Sequence, residues 1–193
     1  GMSSIQSAAI LAGGNNLRFN RQIKPLAILK GKSLLDHQLM TLTPLFNEIL
    51  LITNHPEAFN KYDSCRIFQD LLPGRGPLSG IHTALKKAGS KNVFIVAGDM
   101  PFIRGQVIRE QIRTSVEHPG RAIVPRTGEK TEPLHAIYPK TTLQTLEGYL
   151  KHAADRSVRS FLEHIPVYYR DFSDPTSFIN INTPEELRRY EAD

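Results

Sequence analysis

The feature that most constrains this chain is a rhythm of short apolar runs of strand length alternating with longer segments of helical period. Residues 7–12 (SAAILA), 49–53 (ILLIT) and 93–97 (VFIVA) are apolar almost throughout, without the polar–apolar alternation of a strand that has one wet face. Strands of this kind are covered on both sides, so helices must lie on both faces of their sheet. Between the runs, Ser33 precedes Leu34, Leu35, Gln38, Leu39 and Leu42 at helical spacing, with Ser33 as N-cap. Residues 77–87 form a second helix entered through a Gly/Pro-rich loop with proline in its first turn. The same reading predicts strands over 26–29, 65–69, 122–124, 134–138, 165–169 and 178–181. It predicts helices over 107–116, 141–152 and 157–164, and a last helix over 184–190 capped by Thr183. The expected fold class is α/β, a three-layer sandwich with a mostly parallel central sheet.

Composition narrows the function classes. The 193 residues show no repeat and no linker long enough to separate two units, so one domain over 1–193 is expected, with Gly1 a tag remnant before a natural initiator Met2. Lys plus Arg total 24 against 19 acidic residues, a net charge of +5 that suits an anionic ligand such as a nucleotide. The cations are scattered, and no basic run marks a nucleic-acid surface. A lone cysteine, Cys65, excludes an internal disulfide and a Cys-rich zinc site and suits a reducing compartment. No apolar run approaches the roughly 20 residues of a membrane span, and no secretory signal is present, so a soluble, cytoplasmic protein is expected.

Ligands of parallel sheets bind beyond the carboxyl ends of the strands, and three loops there carry chemistry. The first, after Leu11 and Ala12, contains Gly13-Gly14, whose backbone N–H groups can approach an anion with no Cβ between, followed by Arg18, Arg21 and Lys24. A triphosphate rewards that arrangement best, although a glycine pair also simply ends strands. It is not a dinucleotide fingerprint, and Gly31-Lys32-Ser33 is no P-loop, because Leu26 stands at the required first glycine. The second loop is Asp70-Leu71-Leu72-Pro73-Gly74-Arg75-Gly76-Pro77-Leu78-Ser79-Gly80. The third, Gly98-Asp99-Met100-Pro101, places a carboxylate at the end of the most apolar strand. Asp99 is either a turn residue before Pro101 or a ligand for Mg²⁺, which takes one or two carboxylates plus phosphates and water. The seven histidines show no metal-binding spacing, and most are expected at the surface or at helix caps.

The first loop resembles the LAGGxSxRxGxxK signature of the nucleotidyltransferase superfamily, and its Gly13 resembles the molybdenum cofactor guanylyltransferases, where cytidylyl relatives carry alanine. Asn16, Asn20 and Ile23 depart from the family's small, glycine and acidic residues. The second loop resembles the family's acidic-then-GPLxG segment, and Asn180-Ile181-Asn182-Thr183-Pro184-Glu185-Glu186-Leu187 its closing NxNTPEEL motif. The resemblance implies a Rossmann-like nucleotidyltransferase fold of glycosyltransferase-A type. It also implies GTP contacts from Leu11, Ala12, Gly13 and Gly14, a triphosphate held by Lys24, a nucleotide contact from Asp70 and a Mg²⁺ ligand in Asp99. Asn180 and Asn182 alternate on the expected last strand, and Asn182 is placed as the second metal ligand. Lys24, Arg18 and Asp99 form the expected catalytic set. The implied reaction passes GMP from GTP to the phosphate of molybdopterin or Mo-molybdopterin. A cytidylyl or sugar-phosphate transferase and a non-catalytic nucleotide-binding protein are the alternatives. Glu132-Pro133-Leu134-His135 and the Arg156, Arg159 segment resemble acceptor-side segments, although a solvated helix face accounts better for either arginine.

Overall fold

The computed structural model describes residues 5–13, the backbone of Arg18 and Phe19, and residues 22–193. The chain begins with strand β1 (Ser7–Leu11), followed by two small hairpins, β2 (Arg18–Phe19) with β3 (Gln22–Ile23) and β4 (Ile28–Leu29) with β5 (Lys32–Ser33). A 3₁₀ turn, Lys24–Leu26, joins them. Helix α1 (Leu34–Leu42) leads to β6 (Glu48–Ile52) and β7 (Arg66–Phe68). Helix α2 (Pro77–Lys87), β8 (Asn92–Ala97), α3 (Gly105–Glu117), β9 (Ala122–Thr127), β10 (Lys130–Thr131) and β11 (His135–Pro139) follow. The chain ends with α4 (Thr142–His152), α5 (Val158–Leu162), β12 (Val167–Asp171) and α6 (Pro184–Ala192).

Eight strands form the central sheet in the order β10-β9-β11-β8-β1-β6-β7, with β12 parallel to β9. The half containing β7, β6, β1 and β8 is parallel; β11 runs antiparallel to β8 and to β9, so the sheet is mixed but mostly parallel. Successive side chains of β1 enter different layers, because strand side chains alternate. Ala8 and Ile10 pack with Leu35 and Leu42 of α1 and Ile108 of α3. Ala9 and Leu11 pack with Leu78 and Ile81 of α2, in the layer that also holds Leu146 and Leu150 of α4 and Phe161 of α5. Burial on both faces explains why these strands are apolar throughout.

The caps follow from local chemistry. The Ser33 hydroxyl accepts from the Asp36 amide at 2.9 Å while the Asp36 carboxylate accepts from the Ser33 amide, a reciprocal box that satisfies two otherwise orphaned donors. Thr183 caps α6 through the Glu186 amide at 3.1 Å, with Pro184 in the first turn. Among the described residues, no helix is long and apolar enough to cross a membrane.

Two expected strands are corrected. Residues 26–29 divide into the end of the Lys24–Leu26 turn and the two-residue β4. Residues 178–181 are not a strand: Asp174 Oδ1 accepts from the Thr176 amide at 2.9 Å and its hydroxyl at 2.7 Å, which starts a 3₁₀ turn, Thr176–Phe178. The segment that follows bonds to the 97–100 turn rather than to a strand partner, because the Ile181 amide donates to the Asp99 carbonyl at 2.9 Å.

Candidate active site

The sheet itself selects the site. From β1 the chain moves through α1 to β6 and β7 on one side, then returns through α2 to β8 on the other side of β1. Such a reversal opens a crevice at the carboxyl ends of the two strands that flank it. A cavity of about 660 Å³ lies at that edge, walled by Leu11 and Gly13 after β1, Asn54 after β6, Asp70 after β7 and Asp99 after β8. Its size is in the range of small-molecule sites.

Every element around Asp99 contributes to holding it. The Gly98 amide donates to the Leu11 carbonyl at 2.9 Å, and the Ala97 amide to the Leu134 carbonyl at 2.9 Å. Asn180 Nδ2 donates to Asp99 Oδ1 at 2.9 Å. Lys24 Nζ stands 3.8 Å from Asp99 Oδ2, and the two residues are only 3% and 7% exposed. At that distance the ammonium is attracted as a charge without forming a hydrogen bond. Lys24 is carried there by the 3₁₀ turn, whose Pro25 packs on Gly98. A Cβ at Gly98 would lie 3.0 Å from Pro25 Cγ and 3.1 Å from the Leu11 carbonyl oxygen. Gly98→Ala is therefore expected to wedge the lysine turn away from Asp99. Overpacking of this kind costs about 1–3 kcal/mol, so thermal melts should fall by several degrees and turnover should fall with them.

The opposite wall is built by the Gly-rich loop. Leu71 donates its amide to Thr83 Oγ1 at 2.9 Å, and Arg75 its amide to Ser79 Oγ at 3.0 Å, while Ser79 Oγ donates to the Leu72 carbonyl at 2.6 Å. Gly74 and Gly76, with φ of 86° and 57°, take the left-handed conformations that let this loop fold back on α2. Gly76, Pro77 and Gly80 reach the cavity, so its wall includes the positive N-terminal end of α2, a favourable place for anions. A Cβ at Gly80 would meet Leu11 Cδ2 at 2.8 Å, so this glycine leaves room for the Leu11 side chain on the cavity wall.

Asp70 stands half-buried on this wall, and burial pushes its carboxyl above its ordinary value, opposed by the nearby His82. A raised carboxylate destabilises the fold when ionised. The penalty is absent below the ordinary value of 3.8, where folded and unfolded chains are both protonated, and grows as pH rises through the folded value. Asp70→Asn is thus expected to raise the melting temperature at pH 7, with the gain shrinking towards pH 4 in melts across that range.

A hard divalent cation fits this donor set. Among the described residues, no group of three or more His, Cys, Asp or Glu forms a protein-only metal cage. Asp99 is a single carboxylate facing a cavity large enough for polyphosphate, and such cations are commonly held by one or two carboxylates completed by substrate phosphates and water.

The other expected residues are placed as follows. Leu11 and Gly13 line the crevice, whereas Ala12 between them is buried in the core layer of Ala8 and Ile10, its amide donating to the Ile52 carbonyl at 2.8 Å. Asn182 lines the cavity but is exposed, and its amide donates to Glu186 Oε2 at 3.4 Å; the asparagine against Asp99 is Asn180, which presents N–H. Arg18 is described only as backbone in β2, and Gly14, Asn16, Asn20 and Arg21 lie outside the described residues. Arg156 and Arg159 are exposed around α5. Five of the seven histidines are exposed or partly exposed, and the two exceptions are His82 and His135, at 2% and 0%. His135 lies edge-on to Phe94 and Phe178, its Nε2 is 2.9 Å from Ser177 Oγ, and burial pushes it down to about 3, so it stays neutral. Burial also pushes the Cys65 thiol up, which suits core packing and not a nucleophile. Asn54 escaped the sequence reading, although it follows from taking every strand end at the cavity edge as a loop of interest; Leu134, from the segment read as acceptor-side, also lines the cavity.

Comparison with known proteins agrees with this geometry. A protein of Peptoclostridium acidaminophilum named "Probable molybdenum cofactor guanylyltransferase" is 35% identical, covering 98% of this chain and 90% of that protein. The molybdenum cofactor guanylyltransferase of Syntrophotalea carbinolica is 34% identical, covering 95% and 90%. The crystal structure of molybdopterin-guanine dinucleotide biosynthesis protein A from Archaeoglobus fulgidus superposes with a TM-score of 0.82 at 27% identity, covering 96% of this chain and 97% of that one. A family model for the MobA-like NTP transferase domain matches residues 8–168, most of the sheet and the walls described above. The chain belongs to the MobA-like NTP transferase domain family and is a nucleotidyltransferase.

Proposed function

We propose that this enzyme transfers GMP from GTP to the terminal phosphate of molybdopterin, or of its molybdenum-loaded form, in the cytoplasm. An acceptor phosphate oxygen forms a bond to the α-phosphorus of GTP. The bond from that phosphorus to the bridging oxygen of the β-phosphate breaks, and pyrophosphate leaves with the electron pair. The attacking phosphate is already ionised at neutral pH, so no protein base is required.

The observation that carries the reading is Asp99, which projects from the end of β8 into a cavity whose other wall is glycine loop and has the buried Lys24 of the 3₁₀ turn 3.8 Å from its carboxylate. Phosphoryl transfer asks for positioning and charge neutralisation rather than covalent chemistry. Leu11, Ala12, Gly13 and Gly14 offer backbone to the base and phosphates, and Asp70 contacts the nucleotide from the opposite wall. Lys24, with Arg18, stabilises charge on the departing pyrophosphate. Asp99, assisted by Asn182, would hold Mg²⁺. When bound, the ion supplies charge neutralisation on the phosphates and polarises phosphorus. Asn180 keeps the Asp99 carboxylate turned towards the crevice.

The test is a nucleotide panel: molybdopterin is incubated with Mg²⁺ and each nucleoside triphosphate, and pyrophosphate is followed. Release that requires both GTP and the pterin is expected. GTP binding without release would make the protein a carrier, and preferential release with CTP would make it a cytidylyltransferase.

A further inference from the structure

Gln38 is the one polar side chain in the buried row of α1 that contains Leu34, Leu35 and Leu42, and it is fully buried. Its Nε2 donates to the Ala97 carbonyl at 2.7 Å and to the Met100 carbonyl at 3.0 Å. These two acceptors flank Gly98-Asp99, so one amide spans the turn that presents the carboxylate. Its Oε1 is buried with no hydrogen-bond partner. The opposite amide orientation would set that oxygen against two carbonyls, so both donors are committed to the turn. A leucine would suit packing of the row and leave two buried backbone acceptors unanswered.

We infer that Gln38 is a positioning residue for the nucleotidyl transfer, fixing the backbone on both sides of Asp99 from behind the sheet edge. This rests on the proposed function for its kinetic readout, but its structural readout stands alone. Among the described residues, the other ties to the turn are hydrogen bonds from or to Leu11, Leu134 and the 180–181 segment, the charge of Lys24 beside Asp99 and the packing of Pro25 on Gly98. Among the described residues, Gln38 is the α1 side chain that hydrogen-bonds the turn. Asp99 without it would retain its partners but lose the fixed strand end from which it projects.

The experiment compares wild type, Gln38→Met, Asp99→Asn and the double variant. Methionine matches the volume of glutamine without its donors, and Gln38→Glu, of equal size but without N–H, serves as the second variant if methionine fails to fold. Amide hydrogen exchange across residues 97–101 is expected to accelerate in the Gln38 variant. The Mg²⁺ concentration for half-maximal pyrophosphate release should rise and kcat should fall roughly 10- to 100-fold, the scale of a small misplacement. GTP affinity measured without divalent cation should not change. The double variant should be no slower than Asp99→Asn alone. Unchanged exchange and unchanged metal dependence, or losses that multiply in the double variant, would overturn the inference. Faster exchange in a protein whose wild type releases no pyrophosphate would instead sink the proposed function and leave the structural role of Gln38 standing.

Discussion

Asp99→Asn is expected to lower pyrophosphate release by about 10²–10³-fold or more, the scale on which a preorganised electrostatic group contributes, while leaving the sheet intact. The asparagine is close in shape to aspartate and still accepts from Asn180 Nδ2 through its amide oxygen, but it loses the negative charge opposite Lys24. It also loses the one acidic side chain that, among the described residues, walls the β8 side of the crevice and could bind a divalent cation. Asp99→Ala should be equally inactive and less stable. Removing one partner of a buried ion pair costs about 3–5 kcal/mol, and Lys24 is 3% exposed. Full turnover of Asp99→Asn at saturating Mg²⁺ would contradict the assignment of this carboxylate.

Lys24→Met should fail at a different step. The methionine retains most of the packing of the buried stem and the Pro25 contact with Gly98, but offers no charge to a polyphosphate. A hydrogen bond to a charged group contributes about 1.5–3 kcal/mol, so GTP affinity by calorimetry should weaken roughly 10- to 100-fold, at about 1.4 kcal/mol per decade. Because Lys24 and Asp99 face each other at 3.8 Å, their effects should not add. With Asp99 already replaced by asparagine, the attraction between the two charges is gone, so losing the ammonium no longer includes that contribution. An unchanged GTP affinity in Lys24→Met would place the triphosphate elsewhere.

These expectations could be framed from the sequence because its clearest signals lie on the parallel half of the sheet. Strands buried on two faces must be apolar throughout, so 7–11 and 93–97 were legible, and Asp99 was legible with them as the carboxylate at a strand end. Lys24 was visible as one of three loop cations, but its burial against Asp99 depends on the Pro25–Gly98 contact, which is tertiary. The hairpins β2–β3 and β4–β5 have two-residue strands, too short for any period to declare itself. Residues 178–181 (FINI) imitate a short strand by their apolar content, while Asp174 and Pro175 just upstream start a turn instead. Asn180 and Asn182 were both legible from the closing motif, but the bond from Asn180 to Asp99 depends on how this segment folds against the 97–100 turn, which is tertiary. Gln38 stood in the apolar row of α1, but its carbonyl partners lie about sixty residues on, at separations of 59 and 62 positions. His82 and His135 are buried for the same reason: their neighbours come from distant elements, Glu147 for one and Ser177 for the other.

The most direct test of the central claim, that one crevice joins a nucleoside triphosphate, a divalent cation and a phosphorylated pterin, is the initial rate of pyrophosphate release with all three components and with each withheld in turn. The account predicts release that requires GTP, Mg²⁺ and molybdopterin together, with recovery of the guanine dinucleotide as product. Release that proceeds undiminished without the divalent cation, or that yields no dinucleotide, would contradict it.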